Sequence, residues 1–210
     1  MSQAPKKRGK LIVLEGIDGA GKSTHIDFIA ATIRSAHAAE VVITREPGGT
    51  PLAEKIRELV LHAPMDVQTE VLMVAAARRD HVQQLIVPAL TRGDWVLCDR
   101  FVDSTRAYQG GGGGVDLAWI DAVNRAACGP LEPDRVLLFD LPAQIAAQRR
   151  GGRGGQEDRF EAQAVDYFER VRGVYLNQMR PGAQEKTAIL NAELDVSRIQ
   201  KELHKIIINI

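Results

Sequence analysis

Lys22 and Ser23 close an eight-residue stretch, Gly16 to Ser23, that reads G-x-x-x-x-G-K-S. Residues of these types at this spacing suit the holding of a triphosphate. Glycines at 16, 19 and 21 let backbone N–H groups turn inward as an anion-binding nest. The Lys22 ammonium can reach terminal phosphates, and the Ser23 hydroxyl is placed to ligate Mg²⁺. The candidate nucleotide-binding loop is therefore Gly16, Ile17, Asp18, Gly19, Ala20, Gly21, Lys22, Ser23 and Thr24. A glycine-rich turn without a ligand is the competing reading, and the flanks decide against it. Leu11 to Leu14 is an unbroken apolar run that suits a strand buried on both faces. Ile26, Ile29, Ala30 and Ile33 recur at helical spacing, so a helix aims its positive dipole end at the loop.

Further candidates sit where other strands should end. Asp99 closes the apolar run Trp95–Cys98, as expected of the second magnesium-site element of a phosphate-binding fold, and Arg100 beside it would face the same anionic centre. Arg45, at the end of another run, could hold a phosphate or could be a solvated strand-end arginine. Arg78 falls inside the apolar stripe of an expected helix from about Gln68 to Ala89. A guanidinium there needs a partner, either a structural ion pair or a polar ligand in a pocket. The ligand is the reading adopted. Gln109 offers a donor and an acceptor that could read the edge of a base. The five glycines that follow, Gly110 to Gly114, read as a flexible loop. Arg149-Arg150-Gly-Gly-Arg153-Gly-Gly, between two helical segments, reads as a mobile lid over about 150–157 that carries cations over phosphates.

Positioning these groups falls to five short apolar runs: Leu11–Leu14, Val41–Thr44, Trp95–Asp99, Arg135–Asp140 and Thr187–Asn191. Longer segments of helical period separate them. Such alternation predicts a three-layer α/β domain, a five-stranded parallel sheet with helices on both faces and its site at the carboxyl ends of the strands. Within it, Asp116 should cap a helix that Gly129-Pro130 ends, and Asp158 to Phe160 should begin the helix after the lid. A chain of 210 residues without an internal repeat suits one domain over residues 10–210, after a loose basic tail at 1–9. Lys plus Arg and Asp plus Glu are 27 each, so no global field attracts nucleic acid or a membrane. Nothing has the length of a membrane span. Cys98 and Cys128 belong to no metal-ligand cluster and read as buried, reduced thiols of a cytoplasmic protein.

Taken together these stretches resemble the bacterial thymidylate kinases from Lys10 to the last helix. The matching segments are EGIDGAGKS, TREPGGT, TEVLMVAAARRDH, DRFVDSTRAYQGGG and DRFE. The second and fourth are far more specific than the phosphate loop. The resemblance implies the P-loop fold, ATP and Mg²⁺, and transfer of the γ-phosphoryl group to dTMP. Carried over by position, Lys22 and Ser23 would hold ATP and Mg²⁺, and Asp99 would act near the metal. Arg45 and Arg100 would grip the acceptor phosphate, Arg78 would meet the thymine carbonyl and Gln109 the base, with Ser104 and Tyr108 on the same substrate-binding side. Asp18 stands where some members carry an arginine. Members without it draw their cations from the lid, which here makes Arg149 and Arg153 the catalytic candidates. The family usually forms dimers through helices. Two departures stand out: Val74, where a phenylalanine commonly stacks on thymine, and Gly113, where some relatives have arginine.

Rival readings are weaker. A kinase for another nucleoside monophosphate or for a deoxynucleoside is the nearest, and the latter would want a carboxylate such as Glu15 to take a hydroxyl proton. TREPGGT with Arg100 favours a phosphate acceptor instead. A GTPase switch should carry an N-K-x-D-like motif, and none is present. RNA binding through RRGGRGG is disfavoured by its single copy and the zero net charge.

Overall fold

The computed structural model describes residues 8–151, 159–160, 163–178 and 186–210. All five expected strands are present: β1 (Leu11–Glu15), β2 (Val41–Arg45), β3 (Trp95–Asp99), β4 (Arg135–Asp140) and β5 (Thr187–Asn191). They form one parallel sheet in the order β2-β3-β1-β4-β5. Val13 of the central strand is in register with Cys98 on one side and Val136 on the other. Every residue of β1 is buried, which is why that run carries no polar alternation. The helices are α1 (Lys22–His37), α2 (Pro51–His62), α3 (Val67–His81), α4 (Val87–Arg92), α5 (Val102–Thr105), α6 (Leu117–Cys128), α7 (Ala143–Gly151), α8 (Val165–Gln178) and α9 (Val196–Ile208). Capping follows the sequence: Thr50 accepts from Ala53 N ahead of Pro51, and Asp116 accepts from Trp119 N at the head of α6.

Four expectations need correction. The single helix from Gln68 to Ala89 is α3, then a π-helical turn over Val82–Ile86, then α4, reaching Arg92. Val87 N–H bonds to Val82 O, a widening just ahead of Pro88, which has no N–H to continue the ladder. The polyglycine run is not a loose loop either. Arg106–Gly112 continues α5 as a π-helical segment that lies hard against α8. A Cβ on Gly111 would meet Val174 at 2.5 Å, and one on Gly112 would meet the Tyr167 ring at 2.4 Å. These glycines serve close approach, not flexibility. A Cβ on Gly113 would stand 2.6 Å from Val67, so the arginine some relatives carry there would need a shifted backbone. The helix after the lid begins at Val165, with Arg159 and Phe160 in a turn ahead of it. Last, Arg8 and Gly9 of the expected tail are docked: Gly9 N donates to Leu90 O at 2.9 Å and Arg8 pairs with Asp134. Residues 1–7, and most of the expected lid including Arg153, lie outside the described residues.

Candidate active site

The loop leaving β1 threads a space that admits only backbone. At Gly16 (φ +135°) a Cβ would lie 2.5 Å from Phe139 O, and at Gly19 (φ +91°) 2.6 Å from Ala146 O. The end of β4 and the body of α7 therefore fix the path of the loop. Lys22, buried at the head of α1, turns back so that Nζ donates to Gly16 O at 2.9 Å. Burial and the neighbouring Arg100 guanidinium lower its pKa, against the pull of Asp99, Asp18 and Glu15. Asp99 follows at the end of β3, and its Oδ1 is buried with no hydrogen-bond partner among the described residues. Ser23 is exposed one residue beyond Lys22.

Arg100 joins this loop to a neighbouring cleft. Its backbone is left-handed (φ +71°), held by Arg100 N to Leu14 O at 2.8 Å and by Phe101 N to Glu15 Oε1 at 2.8 Å. Nη1 donates to Gly16 O, Ser104 Oγ and Tyr175 OH, and Nη2 to Asp18 Oδ1 at 2.6 Å and Tyr108 OH. Burial works against the Asp18 carboxylate. Arg100, Lys22 and the Tyr108 hydroxyl outweigh it and hold Asp18 well below the usual carboxylate range.

The cleft encloses about 600 Å³, open solvent at its mouth included. Asp18, Arg100, Ser104, Tyr108, Gln109, Arg78 and Val74, all selected from sequence, line it together. Arg78 is 1 % exposed, and of its two candidate partners the structure supplies the ion pair. Nε donates to Glu46 Oε2 at 2.6 Å, Nη1 to Asn124 Oδ1, and Nη2 to Phe101 O and Thr105 Oγ1. These bonds take four of the five donors a guanidinium has. His81 completes the cluster, between Glu46 and Thr44. The same side chain thus lines the cleft and holds three segments together.

Two selected arginines stand elsewhere. Arg45 is half exposed, pairs with Glu54 at 3.0 Å and does not line the cleft. Arg57 of α2 lines it instead, donating to Pro47 O. Arg149 donates to Ala192 O at 3.0 Å beyond β5, whereas Arg150 reaches Asp18 O at 2.7 Å with its guanidinium 4.1 Å above the Phe168 ring. Nothing in the sequence marked Arg57, which sits mid-helix like any solvated arginine. Arg150 was separable from Arg149 only by the rotation of the helix end.

Val74 leaves the cleft with aromatic surface from other elements, since Phe101, Tyr108 and Phe160 line it too. These rings are far apart in sequence and carried no common signal. With dTMP and ATP, the substrates the resemblance implies, Val74→Phe should lower the KM for the first several-fold, about 1 kcal/mol of added ring contact, and leave that for the second little changed. Steady-state kinetics check it. An unchanged or raised KM for dTMP, in a variant that melts like wild type, would show that position 74 takes no part in stacking.

Glu15 faces inward, away from any base role in the cleft. Its oxygens accept from Phe101 N, Ser104 Oγ and Tyr175 OH. Burial, with Asp103 nearby, raises its pKa from 4.5 to about 7. Between those values the folded chain holds a proton that the unfolded chain has released. Stability from this source is present below the unfolded value and is lost as pH rises through the folded one. Asp103, raised to about 6, acts in the same sense. From about pH 5 to about pH 8, Glu15→Gln should therefore lose less Tm than wild type, by a few degrees. Parallel Tm curves would show that Glu15 does not titrate in that window.

A glycine-rich loop and a cleft lined by Arg57, Arg78 and Arg100 share Asp18 here, and comparison with known proteins specifies the arrangement. The family model described as thymidylate kinase matches residues 14–203. The chain belongs to the thymidylate kinase family. Proteins named thymidylate kinase from Cupriavidus pinatubonensis and Cupriavidus metallidurans are 47 % and 46 % identical to it, each match covering 95 % of this chain and 98 % of the relative. One from Cupriavidus necator is 46 % identical over 97 % of this chain and all of the relative. The five-stranded parallel sheet and the loop after β1 are the parts of the family's fold on which every group described above depends.

Proposed function

We propose that this protein transfers the γ-phosphoryl group of ATP to dTMP, giving ADP and dTDP. The observation that carries the reading is Arg100, which lines the cleft beside Ser104 and Tyr108 while its two terminal nitrogens bond Gly16 O and Asp18 Oδ1 of the loop. A donor held in the loop and an acceptor held in the cleft then meet at one guanidinium. Family membership selects thymidylate among acceptors of this shape.

Such a transfer needs alignment and neutralised charge more than covalent help from the protein, because the acceptor phosphate is already an anionic nucleophile. Backbone N–H groups of Gly16 to Thr24 and Lys22 would take the ATP phosphates. Arg100, with Arg57 at the same rim, would take the acceptor phosphate. Arg150 supplies a cation at the loop from the lid side, a role the family resemblance had given to Arg149 and Arg153. Gln109 and Arg78 would face the base.

Mg²⁺ fits the residues present. A buried carboxylate oxygen of Asp99, without a hydrogen-bond partner among the described residues, and the exposed Ser23 hydroxyl are hard oxygen donors at the loop. Among the described residues no group of three or more His, Cys, Asp or Glu could hold a metal ion. Ser23 and Asp99 would hold the ion, which would supply positive charge against the negative charge that develops in transfer.

A cytoplasmic location accords with the free, buried Cys98 and Cys128. No helix among the described residues is long and apolar enough to cross a membrane. A homodimer through helices is supported by Leu52 and Leu59 on α2 and Leu72 on α3, all about half exposed. An ADP-release assay over a panel of nucleoside monophosphates and deoxynucleosides tests the reading. The expected result is strong preference for dTMP. Preference for a purine nucleotide or for an unphosphorylated nucleoside would overturn it.

A further inference from the structure

Glu70 lies in the first turn of α3 and is 5 % exposed, an uncommon place for a carboxylate. Two donors satisfy it. Gln109 Nε2 stands 2.5 Å from Oε1, and the Arg159 guanidinium pairs with Oε2. A carboxylate in an ion pair accepts hydrogen bonds and has none to give. The end of the Gln109 amide that faces Glu70 must therefore be its nitrogen. Reversing the amide would set two acceptor oxygens against each other in a buried site. The carbonyl oxygen is the end left to the cleft that Gln109 lines.

We infer that Glu70 is a specificity-determining positioning residue: by fixing the Gln109 amide in one orientation it presents an acceptor, and not a donor, to the bound base. The inference rests on the dTMP-kinase reading and adds to it the reason for the choice of base. An acceptor matches a pyrimidine whose ring nitrogen N3 carries a hydrogen, as in thymine. It repels one whose N3 is a bare lone pair, as in cytosine. Glu70 touches neither base; it acts through Gln109. The same carboxylate holds Arg159, which donates to Val60 O at 2.8 Å and precedes Phe160 in the cleft wall. Base choice and the placing of Phe160 in the cleft wall thus converge on one side chain.

The test is the ratio of kcat/KM for dTMP to that for dCMP, measured on the full-length protein. In Glu70→Gln the new amide can pair with Gln109 in either orientation, so Gln109 is free to turn. The ratio should fall roughly 10- to 100-fold. Glu70→Met, close in size and unable to fix the amide nitrogen, should do the same and serves if the first variant fails to fold. The exchange Glu70→Gln with Gln109→Glu restores an obligate acceptor at 109 and should return the ratio to within a few-fold of wild type. Arg159→Ala removes the other partner but leaves Glu70 to orient Gln109, so it should move the ratio by no more than a few-fold. A folded Glu70→Gln or Glu70→Met with the wild-type ratio overturns the inference, as does an exchange variant that stays as unselective as the single one. Those results would come with wild-type protein active on dTMP. A wild-type protein inactive on dTMP would instead overturn the parent reading.

Discussion

Lys22→Ala should lower kcat for phosphoryl transfer by roughly 10²–10³ or more, the range found when one preorganised donor to developing charge is removed. The amine is already placed for the task, buried at the head of α1 and bonded to Gly16 O and Ile17 O of the loop it would serve. Its pKa is lowered by burial and by Arg100, so the fold holds this cation at some expense. Removing it relieves that burden while leaving the glycine-defined path of the loop in place. The melting temperature should therefore stay close to wild type while turnover collapses. Coupled measurement of ADP release at saturating ATP and dTMP, beside a thermal melt, separates the two effects. A folded variant that keeps more than a few per cent of wild-type kcat would remove Lys22 from the chemistry.

Arg100→Ala should damage both function and stability, and the two can be taken apart. The guanidinium bridges the loop, α5 and α8 through Gly16 O, Ser104 and Tyr175, and it is the charge partner of Asp18. Its loss should reduce kcat/KM for dTMP at least 10²-fold, because the acceptor phosphate loses its cation. It should also cost about 2 kcal/mol of stability by leaving the partly buried Asp18 carboxylate with Tyr108 as its one side-chain hydrogen-bond partner among the described residues and Lys22 as the remaining nearby cation. Adding Asp18→Asn to Arg100→Ala removes the orphaned charge and should recover much of the melting temperature, with no return of activity. Denaturant titrations and steady-state kinetics on wild type, the single variant and the double variant check this. If the double variant regains activity along with stability, Arg100 serves the fold and the phosphate cation lies elsewhere, with Arg57 the first to examine.

The strands were legible because burial on both faces leaves a continuous apolar run, so β1 and β3 begin where that run does and end on the first charged residue past it, Glu15 and Asp99. Asp99 and Arg100 followed from the same signal, as the first charged groups past a buried strand. Arg45 met that criterion equally, yet its strand is an edge of the sheet, and its side chain finds Glu54 at the surface. The glycine run was misread for a physical reason. An absent side chain permits mobility and permits contact, and only the position of Tyr167 and Val174 tells which applies. Arg78 sat in an apolar stripe that promised a partner, but Glu46, Asn124 and Thr105 come from three other parts of the chain. Glu70 stands in the first turn of α3, where the dipole favours an acidic residue, and nothing else in the sequence marks it. Its burial depends on Gln109 and Arg159 arriving from far downstream.

The place of β1 in the sheet has a consequence for the order in which the molecule is built. Both of its neighbours come from much later in the chain: Leu11 pairs with Val96, and Val13 with Val136. Parallel neighbours cannot be joined by a tight turn, so no local hairpin can shelter this strand while it waits. A strand buried along its whole length is thus made early and covered late, a pattern that slows folding and exposes it to aggregation. The phosphate loop shares that schedule. Its glycines are seated by Phe139 and Ala146, so the first functional residues to be synthesised are among the last to reach their working shape. Nucleotide affinity in this fold is earned by the whole chain, and a partly folded chain would hold the motif without the grip.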